Sequence, residues 1–173
     1  MKYKKKNGEI VAYKGDIKLI IMDADGVLTD GSVYVDNNGN ETLKFSRIDG
    51  KGIELLRKNN ISTGVISEEN ASALKHRVKK LKIDLVSLGI KNKIDIYMKW
   101  KKDLKLDDSQ ICVCGDDISD LSMLKQAGFS CAPVNALDEV KSNVDYASKN
   151  RGGEGFIREV CNIILNNGNC KNE

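Results

Sequence analysis

In the run Ile20-Ile21-Met22-Asp23-Ala24-Asp25-Gly26, an apolar segment meets two carboxylates spaced by one residue and then a glycine. A short apolar run is the pattern of a parallel strand buried on both faces, so the carboxylates fall where the strand ends and the chain turns. Carboxylates held this close repel and raise one another's pKa unless a positive group offsets them. Hard oxygen ligands of this kind suit Mg²⁺, which is held by one or two carboxylates together with substrate phosphate. A solvated Asx-rich turn would use the same residues for backbone reasons alone, so the rest of the chain has to decide.

At 173 residues the chain has the length of one compact domain. The formal charge of +3 is carried by Lys2, Lys4, Lys5 and Lys6; without them it falls to about −1. That balance is not one for nucleic acid, and no apolar stretch approaches the length of a membrane span. A cytoplasmic location is expected, with no membrane partner and no secretory leader. The five cysteines show no metal-ligand spacing and read as reduced, mostly buried thiols, with Cys112 and Cys114 on one side of a strand. The single histidine, His76, lies among basic residues and reads as a surface group. Zinc or di-metal chemistry on histidine ligands is thereby excluded, and catalysis must run on carboxylates, lysine and hydroxyls.

Along the chain, strands are expected at Lys18–Met22, Ser62–Ser67, Ile83–Leu88, Ile111–Cys114 and Phe129–Ala132. Helices are expected at Asp49–Asn59, Asn70–Lys82, Lys93–Leu106, Ser119–Ala127, Leu137–Asn143 and Gly155–Asn166. Val33–Val35 and Glu41–Phe45 flank Asp36-Asn37-Asn38-Gly39-Asn40 and predict a projecting hairpin over 32–46. Repeated alternation predicts an α/β fold, a doubly wound parallel sheet with helices on both faces. One domain over 14–167 is expected, with a tail at 149–159, a flexible basic end at 1–13 and a disordered end at 168–173.

In such sheets the ligand site lies beyond the carboxyl ends of the strands, where the strand order reverses. Asp23, Asp25, Ser67, Lys93 and the second acidic cluster Gly115-Asp116-Asp117 all fall at that rim. Phosphoryl transfer needs a nucleophile, an acid for the departing oxygen and positive charge around the transferring group. Asp23 can attack phosphorus to give an aspartyl-phosphate. Asp25 can protonate the leaving alcohol and then activate water. Asp116 completes an Mg²⁺ site with Asp23 and the backbone carbonyl of Asp25, while Ser67 and Lys93 hold phosphate oxygens.

The ordered set Asp23-Ala24-Asp25-Gly26-Val27-Leu28-Thr29-Asp30, Ser67, Lys93 and Gly115-Asp116-Asp117-Ile118-Ser119-Asp120 resembles the haloacid dehalogenase superfamily of phosphohydrolases. The resemblance implies an Mg²⁺-dependent phosphatase of Rossmann-like fold, with Asp117 and Asp120 as candidates standing behind the metal ligands. Only the hairpin with one helix, then one helix with one strand, separates the motifs, so the chain looks capless. Capless members of this kind resemble the 3-deoxy-D-manno-octulosonate 8-phosphate phosphatase family, which also carries a segment like Arg47-Ile48-Asp49-Gly50-Lys51-Gly52. The resemblance covers nearly all of 14–167. Arg151-Gly152-Gly153-Glu154-Gly155-Phe156-Ile157-Arg158-Glu159 looks like that family's tail, which implies a homotetramer in which the tail closes a neighbouring site. Arg151 and Arg158 are then candidates for binding a sugar-acid phosphate.

One departure bears on the substrate. Octulosonate phosphatases continue the second motif as Thr-Gly-Arg, whereas this chain has Ser67-Glu68-Glu69-Asn70. Glu69 with Lys80 resembles the pair in relatives acting on nine-carbon, sialic-type acids, so an eight-carbon or a nine-carbon 3-deoxy-ulosonic acid phosphate is expected. A surface Glu and Lys on a solvated helix is the plainer alternative. Two other functions share parts of the pattern. An assembly domain associated with a cytidylyltransferase would let the motifs decay. A receiver-like phospho-aspartate domain would lack a turnover acid at Asp25.

Overall fold

The computed structural model describes residues 3–4, 10–11 and 16–167. Tyr3–Lys4 and Ile10–Val11 pair antiparallel; the expectations for the rest of 1–13 and for 168–173 lie outside the described residues.

Leu19–Met22 (β1) is buried at every position, as its unbroken apolar sequence requires of a strand covered on both faces. It is followed by the hairpin Thr29–Val35 (β2) and Glu41–Phe45 (β3), then Arg47–Lys58 (α1), Ser62–Ser67 (β4), Ser72–Leu81 (α2), Leu85–Leu88 (β5) and Lys93–Asp103 (α3). Ile111–Cys114 (β6), Leu121–Gln126 (α4), Phe129–Ala132 (β7), Asp138–Ser142 (α5), Tyr146–Ala147 (β8) and Phe156–Asn167 (α6) complete the described chain. One sheet of six strands runs in the order β8-β7-β6-β1-β4-β5, with every neighbouring pair parallel.

Alternate residues of β1 feed two cores. Ile20 and Met22 face α1, α2 and α6, together with Ile53, Leu56, Leu74, Val160 and the thiols of Cys112, Cys114 and Cys161. Leu19 and Ile21 face the other way, onto Tyr97, Trp100, Leu124 and Val140 of α3, α4 and α5. The doubly wound sheet with helices on both faces is therefore present as expected. Cys112 and Cys114 do share a side, as buried free thiols. His76 is exposed.

Several element boundaries differ from the sequence reading: β2 begins at Thr29 rather than Val33, α1 at Arg47 rather than Asp49, and three others have a clear local cause. The helix expected from Ser119 begins as a 3-10 turn at Ile118–Asp120, because Asp120 folds its carboxylate back onto the Asp116 and Asp117 N–H groups. β5 starts at Leu85, because the Ile83 N–H closes α2 on the Val78 carbonyl and the Asp84 carboxylate accepts from the Thr63 N–H at 2.8 Å. α3 stops at Asp103, with Lys105 in the left-handed region at φ 54°. β8, two residues long, is too short to leave a periodic trace in the sequence.

Only the base of the hairpin is covered, where Leu43 and Phe45 pack against the core and Arg77 of α2 lies 5.5 Å over the Phe45 ring. Asp36 turns it by accepting from the Asn38 and Asn40 N–H groups. Val33, Tyr34 and Val35 remain 52%, 60% and 61% exposed.

Candidate active site

The order of strands leaves β1 to one side through β4 and β5 and returns to its other side at β6, so the reversal lies between β1 and β6. There Met22 is in register with Cys114, and the Asp23 N–H donates to the Cys114 carbonyl at 3.0 Å. Asp23 and Asp116 thus leave adjacent strands at the same rim. The sequence of the turn is fitted to that closeness. Gly26 has φ +78°, and a Cβ there would collide with Asp116 Oδ2.

Lys93, the first residue of α3, reaches over β4 into this rim and is almost wholly buried. Its Nζ donates to Asp23 Oδ1 and to Asp120 Oδ1, each at 2.8 Å. Asp120 Oδ2 accepts the Asp116 and Asp117 N–H groups at 3.0 and 3.3 Å. Both oxygens of Asp120 are therefore committed, and it serves as the post that holds Lys93 and the Asp116 loop in place. Asp117, at the edge of the same rim, caps the Ile118 N–H at 2.7 Å.

The electrostatics follow from crowding. Burial, then the neighbouring Asp120, pushes Asp23 up to about 8 against the opposing pull of Lys93. Burial and the Asp120 and Asp117 charges push Asp116 up to about 7. Asp25 is raised chiefly by burial. Burial opposes the charge on Lys93, yet Asp23 and Asp120 together hold its pKa above the ordinary value. One lysine faces four carboxylates, so the site asks for more positive charge than the described residues supply.

Asp23, Asp116 and Asp120 each bring an oxygen within 4.8 Å of the others. With Asp120 already committed, the free donors are Asp23 and Asp116, hard oxygens that fit a cation keeping several waters.

These groups open on a cavity of about 410 Å³ lined also by Asp25, Ser67, Glu69 and Asn135. Ser67 ends β4 and is buried, and its Oγ accepts the Glu69 N–H at 3.1 Å. A second cavity of about 200 Å³ adjoins along the hairpin, between Glu41 and Leu43 on one side and Asp25 and Glu69 on the other.

Of the residues singled out from the sequence, Asp23, Asp25, Ser67, Glu69, Lys93, Asp116 and Asp117 line this cavity, and Asp120 lies behind Lys93. Lys80 is on the exposed side of α2 and is not among the lining residues. Arg151 is exposed and Arg158 bonds Asn162 within α6; neither lines the cavity. Three contributors escaped the sequence reading. Asn135 donates to the Gly26 carbonyl and accepts from the Gly152 N–H, at 2.9 and 2.8 Å, locking the tail to the turn of the first motif. Thr29 and Asp49 are the others: Thr29 ties the same turn internally, and Asp49 accepts the Gly155 and Arg158 N–H groups. The signals for Asp49 and Thr29 were their placements in the Asp-Gly segment and in the first motif; Asn135 left none beyond its hydrogen-bonding side chain.

The haloacid dehalogenase-like hydrolase family matches residues 75–159. The chain is 31% identical over 159 residues to the 3-deoxy-D-manno-octulosonate 8-phosphate phosphatase KdsC of Escherichia coli strain K12, over 92% of this chain and 85% of that protein. It is 33% identical over 150 residues to the protein of that name from Salmonella typhi, over 87% and 80% of the two chains. The solved phosphatase of this name from Moraxella catarrhalis, in complex with magnesium ion, phosphate ion and KDO, superposes with a TM-score of 0.88 at 32% identity, covering 91% of this chain and 90% of that one. The Yersinia pestis structure gives 0.89 at 30% identity, covering 97% and 93%.

Proposed function

The chain belongs to the 3-deoxy-D-manno-octulosonate 8-phosphate phosphatase family of haloacid dehalogenase-like hydrolases, and from that membership we propose that it is an Mg²⁺-dependent phosphatase of a 3-deoxy-ulosonic acid phosphate. Its substrate is a free, eight- or nine-carbon sugar acid carrying a terminal phosphate, and its setting is the cytoplasm. The observation that carries this reading is the placement of Asp23 between Lys93 and Asp116 at the sheet's reversal point.

Asp23 is the nucleophile. Its carboxylate oxygen bonds to phosphorus as the phosphorus–ester oxygen bond breaks, and Asp25 passes its proton to the departing alcohol. Asp25, now a carboxylate, takes a proton from water, and the water oxygen displaces Asp23 from phosphorus, leaving inorganic phosphate. Ser67 and Lys93 hold the non-bridging oxygens throughout. Asp23, Asp116 and the backbone carbonyl of Asp25 would hold Mg²⁺, which would neutralise charge on the transferring phosphoryl group.

The exposed apolar strip of Val33, Tyr34 and Val35 supports a homotetramer built through the hairpins. In that assembly Arg151 and Arg158 reach the substrate carboxylate from a neighbouring subunit's tail, since neither lines the cavity of its own protomer.

The test is release of inorganic phosphate from eight- and nine-carbon ulosonate phosphates, with and without Mg²⁺. Asp23→Asn abolishes turnover while leaving the fold intact. Full activity in that variant, or release that is indifferent to Mg²⁺, overturns the reading. Light scattering that reports a monomer at working concentration overturns the assembly.

A further inference from the structure

Thr29 is fully buried at the start of β2, inside the turn that carries Asp25. Its own N–H donates to the Ala24 carbonyl at 2.9 Å, so the residue is anchored before its side chain acts. The hydroxyl Oγ1 accepts the Gly26 and Gly31 N–H groups, each at 3.2 Å, and stands 3.4 Å from Asp25 Oδ1. A threonine hydroxyl has one proton and two lone pairs. The two backbone N–H groups occupy both lone pairs, which leaves the single proton to point at Asp25 Oδ1.

That valence count has a consequence for the acid. Of the two oxygens of a carboxylic acid the carbonyl oxygen is the better acceptor, so a protonated Asp25 that accepts from Thr29 at Oδ1 carries its proton preferentially on Oδ2. We propose that Thr29 is a positioning residue which fixes the Asp25 carboxyl in one orientation and directs its transferable proton to Oδ2, the oxygen left free for the departing alcohol. The proposal rests on the phosphatase reading above. Gly26 and Gly31 both sit in the left-handed region, at φ 78° and 80°. The same hydroxyl therefore holds the N–H groups of two glycines whose backbone conformation other residues rarely adopt.

Thr29 touches no substrate, so its effect must pass through Asp25 and must depend on how much the leaving group needs a proton. An alkyl sugar phosphate departs as a strongly basic alkoxide and needs the acid; p-nitrophenyl phosphate departs as a weakly basic phenolate and does not. Wild type, Thr29→Val and Thr29→Ser are compared on both esters, with Mg²⁺. For Thr29→Val, kcat on the alkyl ester falls about 100-fold, while kcat on p-nitrophenyl phosphate falls less than about threefold and KM for both is unchanged. Thr29→Ser, which keeps the hydroxyl, returns kcat on the alkyl ester to within about threefold of wild type. If Thr29→Val does not fold, Thr29→Ala carries the same comparison, since its smaller side chain leaves room for a water on the two N–H groups. Equal loss on both esters, or no loss on either, overturns the positioning role while leaving the phosphatase reading in place. A wild-type protein that hydrolyses neither ester overturns the phosphatase reading, and the positioning role with it.

Discussion

Lys93 Nζ lies 2.8 Å from Asp23 Oδ1 in a pair whose side chains are 3% and 9% exposed. The same ammonium is 2.8 Å from Asp120, which is wholly buried. Removing one partner of a buried ionic group leaves an uncompensated charge, and the loss exceeds whatever the intact group contributes. Lys93→Met is therefore expected to lower folding stability by about 3–5 kcal/mol in metal-free protein and to lower phosphate release at least about 100-fold. Urea denaturation and a phosphate assay at pH 8 check the two effects. A variant as stable as wild type would show that Asp23 and Asp120 do not depend on the lysine.

Asp49 joins two helices that the sequence keeps far apart. Its Oδ1 accepts the Arg158 N–H at 2.8 Å and its Oδ2 the Gly155 N–H at 3.3 Å, so a side chain of α1 caps the start of α6. Asp49→Ala strands these donors in a 2% exposed position, and about 1–3 kcal/mol of stability is expected to be lost. Asp49→Asn keeps an accepting oxygen and is expected to lose less. Thermal melts of both variants check the order; an alanine variant no less stable than the asparagine variant would contradict it.

The extent to which this architecture was legible in advance follows from how each residue is placed. Asp23, Ser67, Lys93 and Asp116 sit at the ends of strands or the start of a helix, so local periodicity located them and the parallel-sheet rule brought them to one rim. Thr29, Asn135 and Gly152 matter through contacts that periodicity does not encode. A Cβ on Gly152 would collide with the Gly26 carbonyl, a closeness between residues more than a hundred positions apart. Asp120 was legible as an acidic neighbour of the metal ligands. Its actual partners, Lys93 and two backbone N–H groups, depend on the 3-10 turn that the helical pattern concealed.

The acidic site predicts a coupled dependence on pH and metal. Asp23 at about 8 and Asp116 at about 7 both lie above their ordinary carboxylate values. Folded-state values that are raised mean that the folded metal-free protein binds protons more tightly than the unfolded chain. These two groups thus cost stability progressively as pH rises from about 4 through 8. Mg²⁺ needs both in the ionised form and competes with the protons. The stabilisation by Mg²⁺ is expected to be small at pH 6 and to grow toward pH 8.5, while the metal-free Tm falls over the same interval. Melting curves across a titration of Mg²⁺ and with chelator check it. A shift in Tm by Mg²⁺ that is the same at every pH would refute the coupling.

Glu69 faces both cavities, and the smaller one presents Asp25, Glu41 and Glu69 with no cation among its lining residues. A glutamate accepts hydrogen bonds from sugar hydroxyls, whereas an arginine at this position would pair with a carboxylate in a two-pronged contact. The extra hydroxyl-bearing carbon of a nine-carbon acid gives Glu69 a partner that the eight-carbon acid lacks, so kcat/KM is expected to favour the nine-carbon phosphate. Glu69→Arg removes that acceptor and adds charge complementary to an acid, shifting the ratio toward the eight-carbon phosphate by about 10- to 100-fold, or about 1.4–2.8 kcal/mol in transition-state discrimination. The comparison is a ratio of kcat/KM on two substrates within each variant, so a general loss of folded enzyme cancels. A ratio that Glu69→Arg leaves unchanged would place substrate choice elsewhere on the rim, and a wild-type preference for the eight-carbon phosphate would reverse the assignment of Glu69 as the residue that reads the longer sugar.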